Sequence, residues 1–136
     1  MTDSIKSPAA VLGCGGWGTA LAVHLASTGR PVRLWGRDPV LVSRLTENRI
    51  NSVYLPDVVL PELVLPMGSI RTALSGARYV VIAVPSHGVR DVVRQIAVYI
   101  EPDTTIISAV KGIEETTLLR MSEVIQEEVV ASCSIV

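Results

Sequence analysis

The chain has 136 residues, 49% of them hydrophobic, and a formal net charge of −1 at pH 7. This length suits one domain, since domains typically have roughly 100–150 residues. The balanced charge argues against a nucleic-acid partner, and the longest apolar run, Tyr79 to Val84, is far shorter than the ~20 residues that span a bilayer.

The start of the chain and its two cysteines point to a reducing compartment. Met1 to Pro8 is short and polar and lacks the apolar stretch of a signal peptide. Cys14 and Cys133 lie far apart in the sequence and match no metal or redox spacing. We therefore expect a cytoplasmic protein without a metal site.

The first third of the chain alternates short apolar runs with helical periodicity. Ala9 to Leu12 is a predicted strand, and Trp17 to Ser27 is a predicted helix. A second strand is expected from Val32 to Trp35. Asp38 is expected to cap a helix that begins with Pro39 and runs to about Asn48.

Proline dominates the next stretch, Ile50 to Pro66. Each of its three prolines after Tyr54 removes a backbone donor that a sheet would need. We expect this stretch to be irregular, apart from a short strand near Leu63 to Leu65.

The rest of the chain again alternates helices and strands. The predicted elements are a helix Ile70 to Leu74, a strand Tyr79 to Val84, a helix Val89 to Ile100, a strand Thr104 to Val110, a helix Thr117 to Val130 and a strand Cys133 to Val136. This order predicts an α/β fold, a doubly wound Rossmann-type and mostly parallel sheet. Because the last apolar run stops after four residues, we expect the sheet to be truncated near its sixth strand, with a C-terminal region missing.

A glycine-rich turn follows the first predicted strand and opens the first helix. Gly13, Gly15 and Gly18 match G-x-G-x-x-G, the pattern that binds the diphosphate of a dinucleotide. The first glycine allows the tight turn, the second lets the backbone approach the diphosphate, and the third lets the helix pack closely on the strand. Trp17 is unusually large for this loop, and it could staple the helix to the sheet, form a wall beside the cofactor, or do both.

Two cations are candidate ligand contacts. Arg37 follows the second strand, where NAD-binding domains usually carry an acidic residue, and it could pair with a 2′-phosphate or be a solvated surface cation. We therefore favour NADP over NAD. Lys111 follows a central strand, where ligands bind in such sheets, and it could act on a phosphate or carbonyl or simply lie in solvent. Ser86 and His87 are expected near the nicotinamide, with His87 a bystander.

Several segments together resemble the bacterial NAD(P)-dependent glycerol-3-phosphate dehydrogenases. They are GCGGWGTALA (13–22), LWGR (34–37), NSVYLP (51–56) followed by LP (60–61), VPS (84–86) and AVKG (109–112). The resemblance covers almost the whole chain, from Val11 to about Val130.

The resemblance implies reversible hydride transfer between NAD(P)H and dihydroxyacetone phosphate, giving sn-glycerol 3-phosphate for phospholipid synthesis. It implies that Gly16, Trp17, Arg37 and Lys111 contact the cofactor and that Lys111 also contacts the substrate, as a catalytic residue. Residues 1–136 would be the N-terminal NAD(P)-binding domain. The general acid/base would belong to a helical C-terminal domain absent from this chain, so the fragment alone should be inactive, and the full-length protein could form a homodimer.

Two other functions remain open on the sequence. One is a related NAD(P)-dependent reductase of a keto or hydroxy acid, since substrate specificity resides in the absent region. The other is a non-catalytic module that senses NAD(P)H, although a sensor has no need of Lys111. We also expect the isolated chain to self-associate through the apolar face left uncovered by the missing region.

Overall fold

The computed structural model describes residues 6–129 and 133–136. The strands in this part of the chain are β1 (Ala9–Leu12), β2 (Val32–Trp35), β3 (Ile50–Asn51), β4 (Leu55–Val59), β5 (Val64–Met67), β6 (Tyr79–Ile82), β7 (Thr105–Ser108) and β8 (Ser134–Ile135). The helices are α1 (Gly16–Ser27), α2 (Pro39–Asn48), α3 (Ile70–Leu74), α4 (Val89–Ala97) and α5 (Met121–Glu128).

Six strands form one parallel sheet in the order β5-β2-β1-β6-β7-β8. Strand order runs outward in one direction from β1 to β5 and in the other from β6 to β8, which is the arrangement of a doubly wound dinucleotide-binding fold. The predicted Rossmann-type sheet is therefore confirmed. The switch point lies between β1 and β6, and ligands bind such sheets at the carboxyl ends of the strands there.

The sheet separates two aliphatic clusters. Successive residues of a strand face opposite sides, so Leu12 packs in one cluster with α4 residues such as Val92, while Val11 packs in the other with Ala22 of α1. All four residues of β1 are buried. Burying each large aliphatic side chain stabilises the fold by about 1.5–3 kcal/mol, which makes β1 a rigid support for the turn that follows it.

The prediction that Ile50 to Pro66 is irregular is wrong. β3 and β4 pair antiparallel within this stretch, with Ile50 opposite Val59 and Asn51 opposite Leu55. Pro56 is tolerated because the register of this two-stranded ribbon shifts there. No residue of β3 is paired with Pro56, so its lack of a backbone N–H costs no ladder hydrogen bond. The strand expected near Leu63 to Leu65 is shifted to β5, which lies at the edge of the main sheet, where proline is also accepted.

Several predicted elements have different ends. The helix expected from Thr117 to Val130 begins at Met121, because the carboxylate of Glu123 accepts a hydrogen bond from the Arg120 amide (3.0 Å) and caps the helix there. Val130 lies outside the described residues. β6, β7, β8 and α4 are also shorter than predicted. The residues just after β6 and β7, which were predicted to extend these strands, line a cleft.

Candidate functional site

A cleft of about 1060 Å³ opens at the carboxyl ends of β1, β2, β6 and β7. Its lining consists of residues 13–17, 35, 37, 83–88, 91 and 108–111. Of the predicted site residues, Gly13, Gly15, Gly16, Trp17, Arg37 and Lys111 line this cleft. Gly18 is buried behind it. The sheet thus brings together residues that are almost 100 positions apart in the sequence.

The three glycines of the turn differ in what surrounds them. Gly13 has a φ of +128°, and a Cβ there would lie 2.5 Å from the carbonyl oxygen of Ala83. A Cβ on Gly18 would lie 1.9 Å from the carbonyl oxygen of Gly13. A Cβ on Gly15 would meet nothing within 4 Å, on the side that lines the cleft. Gly13 and Gly18 are therefore required by packing, whereas the absence of a side chain on Gly15 leaves room for a ligand.

The first turn of α1 presents backbone donors beside the cleft. The first residue of the helix to bond back along the chain is Thr19, whose amide donates to the carbonyl of Gly15 (3.0 Å). The preceding N–H groups of Gly16, Trp17 and Gly18 have no acceptor within the helix. Together with the positive end of the helix dipole they form a site suited to a phosphate.

Trp17 connects the glycine turn to the far side of the cleft. Its indole Nε1 donates a hydrogen bond to the carbonyl of Ala109, just after β7 (3.0 Å). The side chain remains 59% exposed and lines the cleft. Trp17 therefore staples the start of α1 to the sheet while leaving its ring available to a ligand.

Two exposed cations lie in the lining, Arg37 after β2 and Lys111 after β7. Ser86 and His87 form a short 3-10 turn after β6 and also line the cleft. Asp91, in the first turn of α4, lines it too. The sequence did not single out Asp91, because an acidic residue in the first turn of a helix is ordinary.

Ser108, at the end of β7, adds a polar atom that the sequence did not reveal. Its Oγ is buried and has no hydrogen-bond partner within residues 6–129 and 133–136. A buried hydroxyl normally has a partner. Because Ser108 also lines the cleft, a ligand bound there could supply one.

Cys14 lies within the turn, and its buried thiol is unreactive. Burial raises the pKa of its thiol to about 12. Its Sγ fills the space beside Gly36, where a Cβ would lie only 2.6 Å away. The thiol is therefore protonated at neutral pH and serves as packing.

An ionic cluster restrains the loop that follows Lys111. Arg90 on α4 contacts Glu114 (2.7 Å), Glu127 (2.9 Å) and Glu128 (2.5 Å). The hydrogen bonds from Arg90 hold the pKa of Glu114 at about 2. Glu114 is three residues beyond Lys111, so this cluster anchors one end of the segment that carries the lysine.

The comparisons with known proteins agree with this geometry. Residues 8–136 match the family model described as "NAD-dependent glycerol-3-phosphate dehydrogenase N-terminus". The chain belongs to this family. The resemblance seen in the sequence motifs is thereby confirmed.

Relatives of this family domain are longer proteins. The chain is 46% identical over 122 residues to a glycerol-3-phosphate dehydrogenase [NAD(P)+] of Desulfotalea psychrophila, covering 90% of this chain and 36% of the relative. It is 42% identical over 117 residues to the protein of the same name from Clostridium tetani, covering 86% and 34%. The chain therefore spans about a third of the length of these curated relatives.

A solved structure of the same kind supports the fold. The crystal structure of glycerol-3-phosphate dehydrogenase from Coxiella burnetii superposes with a TM-score of 0.87 at 33% identity, covering 92% of this chain and 38% of that one. Across the described ranges, the structure contains no helix that could cross a membrane and no group of three or more potential metal ligands.

Proposed function

We propose that this chain is the NAD(P)-binding domain of a cytoplasmic glycerol-3-phosphate dehydrogenase. The reaction is reversible hydride transfer between NAD(P)H and dihydroxyacetone phosphate, and its product, sn-glycerol 3-phosphate, serves phospholipid synthesis. The observation that carries the proposal is the open space at Gly15, beside the start of α1 at the switch point of the sheet. The longer protein is expected to form a homodimer, which light scattering would measure.

The cleft fits a nicotinamide dinucleotide in several independent ways. Gly15 leaves room for the diphosphate, and the amides that follow it supply donors. The buried Oγ of Ser108 lacks a partner within the described ranges, and the ring of Trp17 is a flat apolar surface. When bound, the reduced cofactor supplies the hydride.

Lys111 is the residue of this chain that we assign to catalysis. It is an exposed cation at the carboxyl end of β7, on the lining of the cleft. An ammonium at this position can polarise the carbonyl of the substrate or pair with its phosphate. The ion pair between Arg90 and Glu114 anchors the loop that carries Lys111, which restricts where the lysine can lie.

The activity can be tested in a chimera in which this chain replaces the matching N-terminal segment of the Desulfotalea psychrophila relative. We expect the chimera to reduce dihydroxyacetone phosphate with NADPH or NADH. Lys111→Met should lower kcat/KM by roughly 100-fold or more, since it removes a charge that acts on the reacting group.

Lys6→Met is the matched control, because Lys6 bonds to the carbonyl of Thr28, away from the cleft lining. It should leave the kinetics unchanged. A folded chimera without turnover would contradict the proposed activity, and a fully active Lys111→Met variant would remove Lys111 from the site.

The choice of cofactor is expected to depend on Arg37. The chain should bind NADPH more tightly than NADH, because the guanidinium can pair with the 2′-phosphate. Arg37→Asp should weaken NADPH by roughly tenfold or more and reverse the preference, as measured by calorimetry. Arg44→Asp, on the exposed side of α2 and outside the cleft lining, is the control. Tighter binding of NADH by the unmodified chain would refute the role of Arg37.

A further inference from the structure

The β3–β4 ribbon contacts the glycine turn through a buried asparagine. Asn51 is fully buried, and its Nδ2 donates to the carbonyl of Cys14 (2.8 Å) and to Oγ1 of Thr19 (2.9 Å). Its Oδ1 accepts a hydrogen bond from the amide of Tyr54 (3.2 Å). One side chain thus joins the turn, the first helix and the ribbon.

This contact determines which way one peptide group of the turn faces. In a trans peptide the C=O of one residue and the N–H of the next point in opposite directions. Because the carbonyl of Cys14 is directed at the buried Asn51, the N–H of Gly15 points to the other side. Gly15 lines the cleft, and a Cβ on it would meet nothing within 4 Å, so a ligand has room beside this residue.

The ribbon also supports the next residue of the turn. A Cβ on Gly16 would lie 2.9 Å from the carbonyl oxygen of Tyr54, so ribbon and turn are packed against each other. The hydroxyl of Thr19 is a second, longer donor to the carbonyl of Cys14 (3.4 Å). Both contacts restrict rotation of the Cys14–Gly15 peptide.

We propose that Asn51 is a positioning residue that holds this peptide with the Gly15 N–H directed at the cofactor diphosphate. The inference rests on the proposed dinucleotide binding. Asparagine suits the task because its amide donates to two oxygens and accepts from a backbone amide. If the peptide turned over, a carbonyl oxygen would face the phosphate and the buried amide of Asn51 would lose a partner.

The test uses Asn51→Asp, which preserves size and the acceptor for Tyr54 but removes both N–H donors. The probes are NADPH and adenosine 2′-monophosphate, which lacks the diphosphate. We expect NADPH affinity to fall by roughly tenfold or more, while the affinity for the mononucleotide changes less than about twofold. General damage to the domain would instead weaken both. Asn48→Asp makes the same chemical change at an exposed position at the end of α2 and should alter neither affinity.

The outcomes separate the two proposals. If the unmodified chain binds neither NADPH nor NADH, the proposed function fails. If it binds NADH alone, the Asn51→Asp comparison is made with NADH and adenosine in place of NADPH and adenosine 2′-monophosphate. If the unmodified chain binds and a folded Asn51→Asp variant binds equally well, or loses affinity for both probes alike, the positioning role is wrong.

A measurement on the unmodified chain covers the case in which Asn51→Asp does not fold. In an NMR titration with NADPH, the Gly15 amide proton should move downfield while the side-chain amide protons of Asn51 remain slow to exchange. A Gly15 amide that is unaffected at saturation would overturn the inference.

Discussion

Replacing Gly18 with alanine is expected to destabilise the domain severely. The new Cβ would lie 1.9 Å from the carbonyl oxygen of Gly13, and neither atom can move unless helix α1 separates from the turn after β1. Overpacking typically costs about 1–3 kcal/mol and occasionally more, and we expect a clash with backbone to lie at the upper end of this range. The melting temperature should fall by on the order of 10 °C, measured by circular dichroism.

Gly68→Ala is the matched control for this variant. It adds the same methyl group at an exposed loop position where nothing lies within 4 Å, so its melting temperature should stay within about 2 °C of the original. A Gly18→Ala chain as stable as this control would show that the helix is not packed on the turn as described.

Replacing Gly15 with alanine is expected to separate folding from binding. Gly15 has an ordinary φ of −71°, and its Cβ would enter open space, so the chain should fold and melt like the original. The same methyl group occupies the volume that the diphosphate needs. We expect NADPH affinity to fall by roughly 100-fold or more, measured by calorimetry.

The comparison of the two alanine variants is informative because the chemical change is identical and only the surroundings differ. Gly18→Ala should impair folding, and Gly15→Ala should impair binding alone. If Gly15→Ala bound NADPH as tightly as the original chain, the diphosphate would not lie at this turn.

The sequence predicted those elements whose formation is decided locally or by burial on both faces. Ala9–Leu12 and Val32–Trp35 were predicted with the bounds that the structure has. The first is covered on both sides and reads as an apolar run, whereas the second alternates around the half-buried Arg33. The start of α2 was also predicted, and the carboxylate of Asp38 accepts a hydrogen bond from the amide of Val40 (2.9 Å). Each of these signals lies within a few residues of its effect.

The β3–β4 ribbon was missed because distant contacts hold it in place. Read locally, its prolines indicate a break in secondary structure. The side chain of Asn51, however, donates a hydrogen bond to the carbonyl of Cys14, which is 37 residues earlier in the chain. The amide of Leu60 closes the base of the ribbon on the carbonyl of Arg49 (2.7 Å). Nothing in the local pattern specifies these partners.

The candidate site could be predicted to the extent that the topology determines it. Residues after parallel strands meet at one edge of the sheet, which is why Trp17, Arg37 and Lys111 line a single cleft. Asp91 and Ser108 could not be found in this way. Their place in the lining depends on the orientation of α4 and on the burial of one hydroxyl, which only the folded chain defines.

The most direct test of the account is a crystal structure of this chain with NADPH. We expect the diphosphate to lie within hydrogen-bonding distance of the amides of Gly15, Gly16 and Trp17, with the adenosine end toward Arg37 and the nicotinamide toward Lys111. A nucleotide bound elsewhere on the domain, with no phosphate at the glycine turn, would contradict the account.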